Sequence, residues 1–194
     1  MRHAGFPAVE NDQAEVLVLG TLPGRLSLQA GEYYANPRNS FWSIMGRLLD
    51  SNFDVPYAKR KRILTKNRVA LWDVLAAARR PGSLDSSIVT SSLEPNDFRR
   101  FFRSHPRVRL VCFNGKKAAD LYRRVVLPSL GTEFANIRYE NLPSTSPAHA
   151  AMSFEGKLAR WTIVRSQLGF YNRLQRSAGR KGSRGESGEK GVAR

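Results

Sequence analysis

A short polar segment near the start of the chain carries the side chains best suited to chemistry. Tyr33, Tyr34, Asn36, Arg38 and Asn39 crowd into the stretch YYANPRN. A tyrosine ring can stack on a planar group, and an asparagine amide offers both a hydrogen-bond donor and an acceptor. Outside any periodic element, these residue types favour a pocket for a planar, hydrogen-bonding ligand. A nucleobase fits that description.

The residues on either side of this segment predict how it is positioned. Residues 15–20, EVLVLG, form an aliphatic run typical of a buried parallel strand, and Pro23 and Gly24 then turn the chain out of the sheet. Because ligands of open α/β sheets bind at the carboxyl ends of the strands, we expect residues 21–39 to border a site. A helix packed on the sheet should follow, with these residues at helical spacing: Phe41, Trp42, Ile44, Met45, Leu48 and Leu49.

The rest of the chain continues the alternation of strand and helix. This order predicts a three-layer α/β/α sandwich around a four-stranded, mostly parallel sheet with right-handed crossovers. Residues 78–92 are interpreted as a turn-rich connection. The further predicted strands cover residues 69–75, with Asp73 near the end, 107–114 and 135–144, and the further helices cover 57–67, 94–105, 115–130 and about 153–168.

Polar loops follow three of the predicted strands, over residues 21–39, 114–117 and 142–149. In a parallel sheet these strand ends lie at one edge, so the three loops can converge on one site. The chain has 194 residues, of which 41% are hydrophobic, enough for one domain with a sizeable core. We expect that domain to span residues 1–175. Residues 176–194, rich in Gly, Ser and charge, are predicted to form a disordered basic tail.

The charge of the chain points to a polyanionic partner. Lys and Arg number 32 against 16 Asp and Glu, which gives a formal net charge of +16 and a pI near 10.9. Nucleic acid is the usual partner of so basic a domain. The alternatives are a protein that is merely basic and one that meets anionic lipid.

Several function classes are disfavoured by what the sequence lacks. Its single cysteine, Cys112, lies in the apolar run VRLVCF and is interpreted as a small buried hydrophobe. The chain has no apolar run long enough to span a membrane and no secretory leader pattern, so we expect a cytoplasmic, nucleoid-associated protein. The GxGxxG and GxxxxGK[ST] nucleotide motifs and the paired His and Cys spacings of zinc deaminases are also absent.

Four motifs in order resemble the uracil-DNA glycosylase superfamily, most closely its hypoxanthine (deoxyinosine) DNA glycosylase branch. They are GTLPG at 20–24, YYANPRNSFW at 33–42, FNGKKA at 113–118 and LPSTSPAHA at 142–150, and the resemblance extends from about residue 14 to 168. It implies a monofunctional base-excision repair enzyme that hydrolyses the N-glycosidic bond of a flipped, deaminated base in double- or single-stranded DNA. It further implies no metal or organic cofactor, and we expect a monomer.

The resemblance also implies roles for individual residues. The position where the superfamily usually presents a water-positioning Asp or Asn is Leu22, which cannot do that work, and the catalytic role falls on Asn39 as in the hypoxanthine branch. Tyr34 matches the residue that stacks on the flipped base, and Asn114 matches the residue that hydrogen-bonds the base edge. The pocket would be completed by Thr21, Leu22, Pro23, Gly24 and Tyr33.

The loop over residues 144–149 matches the second motif, which pinches the DNA backbone and pushes into the base stack. Ser144 and Ser146 would contact phosphate, and His149 could contact phosphate, wedge into the stack or touch the base. The other residues that we expect to contact DNA are Thr145, Lys116, Lys117 and Arg38.

The same residues could also have structural roles in place of the functional ones. Tyr33 and Tyr34 could be ordinary packing residues, and Asn36 is interpreted as turn chemistry. Asn39 could also be turn chemistry, and either Asn39 or Ser40 could cap the following helix. Asn114 could satisfy the first turn of its own helix.

Asp73 and Asp85 could tether loops, and a catalytic carboxylate among them is the main alternative to Asn39. For the substrate base, hypoxanthine ranks first, uracil opposite guanine second and xanthine third. The alternative functions are a non-catalytic module that binds damaged DNA, favoured by Leu22, and a nucleotide-binding or nucleotide-hydrolysing enzyme on a similar sheet.

Overall fold

The structure, a computed structural model, describes residues 2–81 and 88–182, with side chains as far as residue 169. Seven strands and six α-helices lie along these residues. In chain order they are β1 (Arg2–Ala4), β2 (Val16–Gly20), α1 (Arg25–Ala30), α2 (Phe41–Leu48), α3 (Tyr57–Lys66), β3 (Val69–Asp73), β4 (Leu75–Arg79), β5 (Glu94–Pro95), α4 (Phe98–Ser104), β6 (Leu110–Asn114), α5 (Lys116–Val125), β7 (Arg138–Leu142) and α6 (Phe154–Gly182).

The central sheet has the strand order β3-β2-β6-β7, and all four strands are parallel. In the register, Gly20 at the end of β2 pairs with Asp73 at the end of β3. Asn114 at the end of β6 pairs with Leu142 at the end of β7. The prediction of a four-stranded, mostly parallel sheet is confirmed, and the polar strand ends share one edge.

Alternation along the strands divides the core between the two faces of the sheet. Leu17 and Leu19 of β2 point to the face covered by α4 and α5, whereas Val16 and Val18 point to the face covered by α2, α3 and α6. Cys112 of β6 belongs to the second face and is fully buried, which confirms its interpretation as a small hydrophobe. Burial also raises the pKa of its thiol, so the thiolate is disfavoured.

A second, smaller sheet was not predicted. Its strands β1, β4 and β5 are antiparallel, in the order β1-β4-β5. The predicted strand over 69–75 ends earlier, at Asp73, because the amide of Val74 donates to the Gly20 carbonyl and the chain then continues as β4 into the second sheet. The predicted helix over 94–105 starts only at Phe98, where Asp97 caps it by accepting from the Arg100 amide at 2.9 Å.

The loop over residues 21–39 contains the short helix α1, which was also not predicted. It is fixed by the Leu28 amide, which donates to the Gly24 carbonyl, and it ends at Gly31 in the left-handed conformation. The last helix, α6, runs to Gly182, whereas the predicted end was residue 168 or a little beyond. It therefore includes residues 176–182, which were predicted to belong to the disordered tail. Residues 183–194 of the predicted tail and Asp85 lie outside the described residues.

An ion pair lies at the amino end of the central sheet. The Glu15 side chain is 1% exposed and accepts from Nη1 of Arg68 at 2.9 Å. Burial raises the pKa of Glu15 above its ordinary value of 4.5, against the opposing charges of Arg68 and Arg107. Between the ordinary and the raised pKa the folded state binds more protons than the unfolded chain, so ionisation of Glu15 lowers stability as pH rises.

The raised pKa of Glu15 predicts that the stability of the protein depends on pH. Relative to Glu15→Gln, the free energy of unfolding of the wild type should fall as pH rises from 4.5 to the raised folded pKa, and it should then stay constant. Urea unfolding of both proteins at a series of pH values measures the difference. A relative stability that increases with pH in this window would contradict the assignment.

Candidate active site

An open cavity of about 780 Å³ lies where the strand ends meet. The volume falls within the roughly 300–1,000 Å³ typical of small-molecule sites. The loops that were expected to converge do so here. The lining residues are Gly20, Leu22, Gly24, Arg25, Leu26, Ser27, Tyr34, Asn36, Arg38, Asn39, Asn114, Ser144, Thr145, Ser146, Pro147, Ala148 and His149.

Asn39 reaches the cavity from the residues that precede α2. Its Oδ1 accepts from the amide of Phe41, the first residue of α2, at 3.0 Å, which is the turn chemistry that one structural interpretation expected. The N-cap residue of the helix is Ser40, whose side chain makes no capping hydrogen bond. Because the backbone amide of Phe41 can only donate, its bond to Asn39 fixes the orientation of the side-chain amide. Nδ2 of Asn39 is therefore the group left to act as a donor in the cavity. Asn36 forms the turn before it, with Oδ1 accepting from the Arg38 amide at 3.0 Å.

Tyr34 is held in a fixed position against the core. Its ring lies on Phe41, with centroids 4.2 Å apart and an angle of 30° between the planes, and Phe41 is fully buried. The backbone of Tyr34 has φ of +54°, a left-handed conformation that is uncommon for a tyrosine and costs on the order of 1–3 kcal/mol. Such strain persists only where the surroundings fix it, and here it places an aromatic ring in the cavity wall.

Asn114 joins the end of β6 to the loop that follows β7. Its Nδ2 donates to Oγ1 of Thr145 at 2.8 Å, and its Oδ1 accepts from the Thr145 amide at 2.8 Å. One N–H and one lone pair of the Asn114 amide remain for a ligand. These bonds give Asn114 a role in positioning the loop that follows β7. The alternative interpretation, in which Asn114 bonds to the first turn of its own helix, did not predict this role.

The loop over residues 143–149 is fastened at several points below its tip. The Thr145 carbonyl accepts from the amide of Ser40 at 3.0 Å and from its hydroxyl at 3.3 Å. The Pro143 carbonyl accepts from the Trp161 indole of α6 at 3.0 Å. Thr145 is only 1% exposed, which does not suit the predicted contact with the DNA backbone. Its hydrogen bonds instead anchor the loop to Asn114 and Ser40.

The tip of this loop is organised by its own serines. Ser144 Oγ accepts from the Ser146 amide, and Ser146 Oγ accepts from the Ala148 amide, each at 3.2 Å. The Ser146 carbonyl accepts from the His149 amide at 3.0 Å. Because these bonds use hydroxyl lone pairs, both hydroxyl protons can still be donated to a phosphate oxygen.

The floor of the cavity lies at Gly20, next to a buried carboxylate. A Cβ at Gly20 would overlap Oδ1 of Asp73 and would lie 3.1 Å from the Tyr34 hydroxyl. Asp73 is 3% exposed and is not among the lining residues. Leu22 does line the cavity, at the position where a polar side chain would be expected from the superfamily pattern.

The charged side chains that line the cavity are cationic. Arg25 and Arg38 contribute guanidinium groups, and among the described residues no Asp or Glu lines the cavity. This charge suits a polyanionic ligand and a reaction in which negative charge develops.

Some predicted site residues lie behind the cavity wall or beside it. Tyr33 is buried in the core, where its hydroxyl donates to the Phe6 carbonyl at 3.3 Å and where burial raises its pKa, so its predicted base contact is replaced by packing. Thr21 and Pro23 are also buried and are not among the lining residues. Lys116 and Lys117 follow Asn114 at the start of α5, outside the cavity.

The sequence interpretation missed two features of the site. One is helix α1, which forms part of the cavity wall, and the other is a buried arginine. Arg25, Leu26 and Ser27 belong to the six-residue helix α1, which is too short to show periodicity, although Gly31 marks its end as a left-handed cap. Arg80 is 1% exposed and donates to the carbonyls of Leu22 and Pro23, which holds the first turn of the site.

Neither a metal-binding cluster nor a membrane-spanning helix is present in the part of the chain that the structure describes. No group of three or more His, Cys, Asp or Glu side chains there could hold a metal ion. No helix in these residues is both long and apolar enough to cross a membrane.

Comparisons with known proteins agree with one another. Two curated relatives are named hypoxanthine DNA glycosylase. The one from Methanosarcina acetivorans is 38% identical over 161 residues, 82% of this chain and 96% of the relative. The one from Methanosarcina barkeri is 34% identical over 134 residues, 69% of this chain and 82% of the relative.

A solved structure supports the same relationship. The solution NMR structure of a candidate uracil DNA glycosylase from Methanosarcina acetivorans has a TM-score of 0.73 and 36% sequence identity, and the match covers 86% of this chain and 99% of that chain. The family model described as uracil DNA glycosylase superfamily matches residues 7–165. The chain therefore belongs to the uracil DNA glycosylase superfamily.

Proposed function

We propose that this protein is a monofunctional DNA glycosylase that releases a deaminated base from DNA, with hypoxanthine as the preferred base and uracil as the alternative. The observation that carries the proposal is the convergence of Asn39, Tyr34 and Asn114 on one cavity with cationic side chains. The names of the curated relatives support hypoxanthine as the base. We further propose that it acts as a monomer on nucleoid DNA.

Binding begins with the DNA backbone. The net charge of +16 provides affinity for phosphates, and the Ser144 and Ser146 hydroxyls, Arg38 and the lysines at the start of α5 supply individual contacts. Extrusion of the damaged nucleotide costs a few kcal/mol, and the cost is least where the base is mispaired or damaged. In the cavity the base stacks on Tyr34, which is worth on the order of 1–3 kcal/mol.

Hydrolysis breaks the bond between the base nitrogen and C1′ of the sugar. The electron pair of this bond leaves with the base, so negative charge develops on the base and positive charge on the sugar. Asn39 can donate from Nδ2 to the departing base because its Oδ1 is engaged by the Phe41 amide. A fixed donor aimed at developing charge stabilises the transition state without a reorganisation cost.

Water then adds to C1′, loses a proton to solvent, and leaves an abasic site. The electron-poor sugar needs only a weak nucleophile, which fits a cavity whose described lining includes no carboxylate. In this scheme Leu22 contributes to the shape of the cavity. Asn114 contacts the edge of the base with its remaining N–H and lone pair.

Single-turnover assays on otherwise identical duplexes test the proposal. The duplexes carry deoxyinosine, deoxyuridine or an undamaged base, and both the free base and the abasic site are quantified. We expect free hypoxanthine in amounts equal to the abasic sites, with an intact backbone. Release of uracil alone would overturn the substrate, and tight binding without release of any base would favour the damaged-DNA-binding module.

Thr145 provides a prediction about loop positioning. Thr145→Val removes the acceptor of the Asn114 Nδ2 donor with little change in volume, and a lost hydrogen bond of this kind costs roughly 1 kcal/mol. We expect excision to slow by about fivefold to tenfold, while Thr145→Ser, which keeps the hydroxyl, stays near the wild-type rate. Single-turnover rates and melting temperatures of both variants measure this. Equal rates for the two variants would contradict the anchoring role.

A further inference from the structure

The positive charge of the chain is not confined to the surroundings of the cavity. The cavity lies at the carboxyl ends of the parallel strands, and each of these strands is five residues long. At about 3.3 Å per residue, the amino ends of the strands lie roughly 17 Å from this edge. A straight duplex bound across the cavity does not reach so far, so cations at the amino edge have no role in binding that duplex.

A row of charged residues crosses the amino edge, where the strands of the central sheet begin. In the strand order β3-β2-β6-β7 it consists of Arg68, Glu15, Arg109 and Arg138. The Glu15 amide donates to the Arg68 carbonyl at 2.9 Å, and the Arg109 amide donates to the Glu15 carbonyl at 3.0 Å. The Arg138 amide donates to the Arg109 carbonyl at 2.9 Å. Because neighbouring strands lie about 4.8 Å apart, the row is roughly 14 Å long.

Three exposed arginines lie in this row or next to it: Arg107, Arg109 and Arg138, the edge arginines. Each guanidinium donates to a neutral acceptor, and within the described residues none of the three forms an ion pair with a carboxylate. The acceptors are the side chain of Gln13, the carbonyls of Pro106 and Val108, and the side chain of Gln167. Glu15, the carboxylate of the row, is buried and paired with Arg68. The edge arginines therefore leave three positive charges without a paired carboxylate.

Helix α6 adds cations beyond the same edge. Nη2 of Arg68 donates to the Leu168 carbonyl at 3.2 Å, which places residue 168 of α6 beside the start of β3. The helix then continues over residues 169–182, roughly 21 Å at about 1.5 Å per residue. In sequence these residues include no Asp or Glu and the cations Arg173, Arg176, Arg180 and Lys181. The sequence of α6 thus extends the positive charge of the amino edge away from the cavity.

The chemistry of the edge arginines suits phosphate groups. A guanidinium is planar, always charged and less strongly hydrated than an ammonium, and it pairs with phosphate oxygens through two hydrogen bonds. Since the neutral acceptors already restrain the three side chains, binding costs little further side-chain entropy. The chain belongs to the uracil DNA glycosylase superfamily, so the polyanion nearest to a DNA-bound molecule is further DNA.

We propose that the edge arginines bind the phosphate backbone of a second DNA segment while a first segment occupies the cavity. The inference goes beyond the proposed function and does not depend on which base is released. A molecule that holds two segments can pass from one to the other without complete dissociation. The edge arginines then act in the search for damage and not in the reaction, and counterion release makes their contribution depend on salt.

A bridging assay tests this second site. The protein is loaded onto an immobilised duplex that contains the non-hydrolysable 2′-fluoroarabino analogue of deoxyinosine, and separately onto the same duplex without damage. A fluorescent undamaged duplex is then added at a series of salt concentrations, and the amount retained is measured. The edge variant, Arg107→Gln/Arg109→Gln/Arg138→Gln, is compared with the wild type.

The control variant, Arg2→Gln/Arg99→Gln/Arg123→Gln, removes the same charge from three exposed arginines that pair with carboxylates. We expect the wild type and the control to retain the fluorescent duplex. The edge variant should retain about tenfold less or lower, with unchanged single-turnover excision on a short deoxyinosine duplex. Its slope of log affinity against log salt should become less steep by about 2.7, since each phosphate contact contributes about 0.9, and Arg107→Gln alone should lower the slope by about 0.9.

Equal retention by the edge variant and the wild type, or an equal loss in the control, would overturn the inference. A sedimentation mass of two protein molecules with two duplexes would also overturn it, because a dimer could bridge the duplexes through its two cavities. Binding to phosphatidylglycerol vesicles without retention of the duplex would assign the edge arginines to a membrane surface instead. Excision by the edge variant reports its folding, and excision by the wild type tests the proposed function independently of this result.

Discussion

Asn39→Ala is expected to lower single-turnover excision by about 100-fold to 1,000-fold, the usual effect of removing one preorganised donor from a site where charge develops. Nδ2 of Asn39 is the donor in question, because Oδ1 is held by the Phe41 amide at 3.0 Å. Binding to a damaged duplex should change little, since phosphate contacts supply most of the affinity. Loss of the hydrogen bond to the Phe41 amide should also cost on the order of 1 kcal/mol of stability.

Asn39→Asp separates the two roles that the amide could have. Aspartate keeps the oxygen that accepts from the Phe41 amide and adds a second acceptor that could position water, but it has no donor for the departing base. We expect it to lose as much activity as Asn39→Ala while keeping the wild-type melting temperature. Activity close to wild type would show that Asn39 positions water instead.

Asn52→Ala is the matched control for these variants. Oδ1 of Asn52 accepts from the amide two residues later, at Asp54, in the same kind of turn, and Asn52 is not among the residues that line the cavity. Its rate of excision should equal that of the wild type. If Asn52→Ala lost as much excision activity as Asn39→Ala, the loss would be caused by disruption of such a turn and not by removal of the Asn39 amide donor.

Gly115→Ala is expected to lower excision by at least tenfold and stability by on the order of 1–3 kcal/mol. Gly115 has φ of +101°, which an L side chain rarely adopts, and an added Cβ would lie 3.0 Å from Cβ of Ser144. The Gly115 amide also donates to the Leu142 carbonyl at 3.0 Å. The substitution therefore pushes the loop over residues 143–149 away from Asn114.

Gly31→Ala provides the comparison, since Gly31 has φ of +66° but nothing within 4 Å of an added Cβ. It should lose stability through backbone strain and keep most of its activity. Rates and urea unfolding of both variants measure the effect. If both lose activity in proportion to stability, the contact with Ser144 is not what positions the loop.

The sequence predicted the parts of the fold that have a strong repeating pattern. Aliphatic runs marked the central strands β2, β3 and β6. The polar loops after the strands predicted the convergence of Tyr34, Asn39 and Asn114 on one edge. The four motifs identified the superfamily, which the comparisons confirm. These features are local in the chain, so a single sequence can carry them.

The features that were missed depend on tertiary contacts. The small sheet pairs β1 with β4 across about seventy residues, and no local pattern records that pairing. In the sequence, Arg80 is one of several charged residues in a connecting segment. Its guanidinium donates to the Leu22 and Pro23 carbonyls only because the fold brings these residues together. The catalytic role of Asn39 and the base contacts of Tyr34 and Asn114 stay predictions.

The most direct test of the central claim is an NMR titration of the ¹⁵N-labelled protein with duplexes that contain either normal deoxyadenosine or a non-hydrolysable 2′-fluoroarabino analogue of deoxyinosine. The side-chain amide signals of Asn39 and Asn114 are followed, with that of Asn52 as the reference. We expect the Asn39 and Asn114 signals to shift with the damaged duplex alone. Binding of both duplexes with identical shifts, or with no change at Asn39, would contradict the claim that this cavity receives the damaged base.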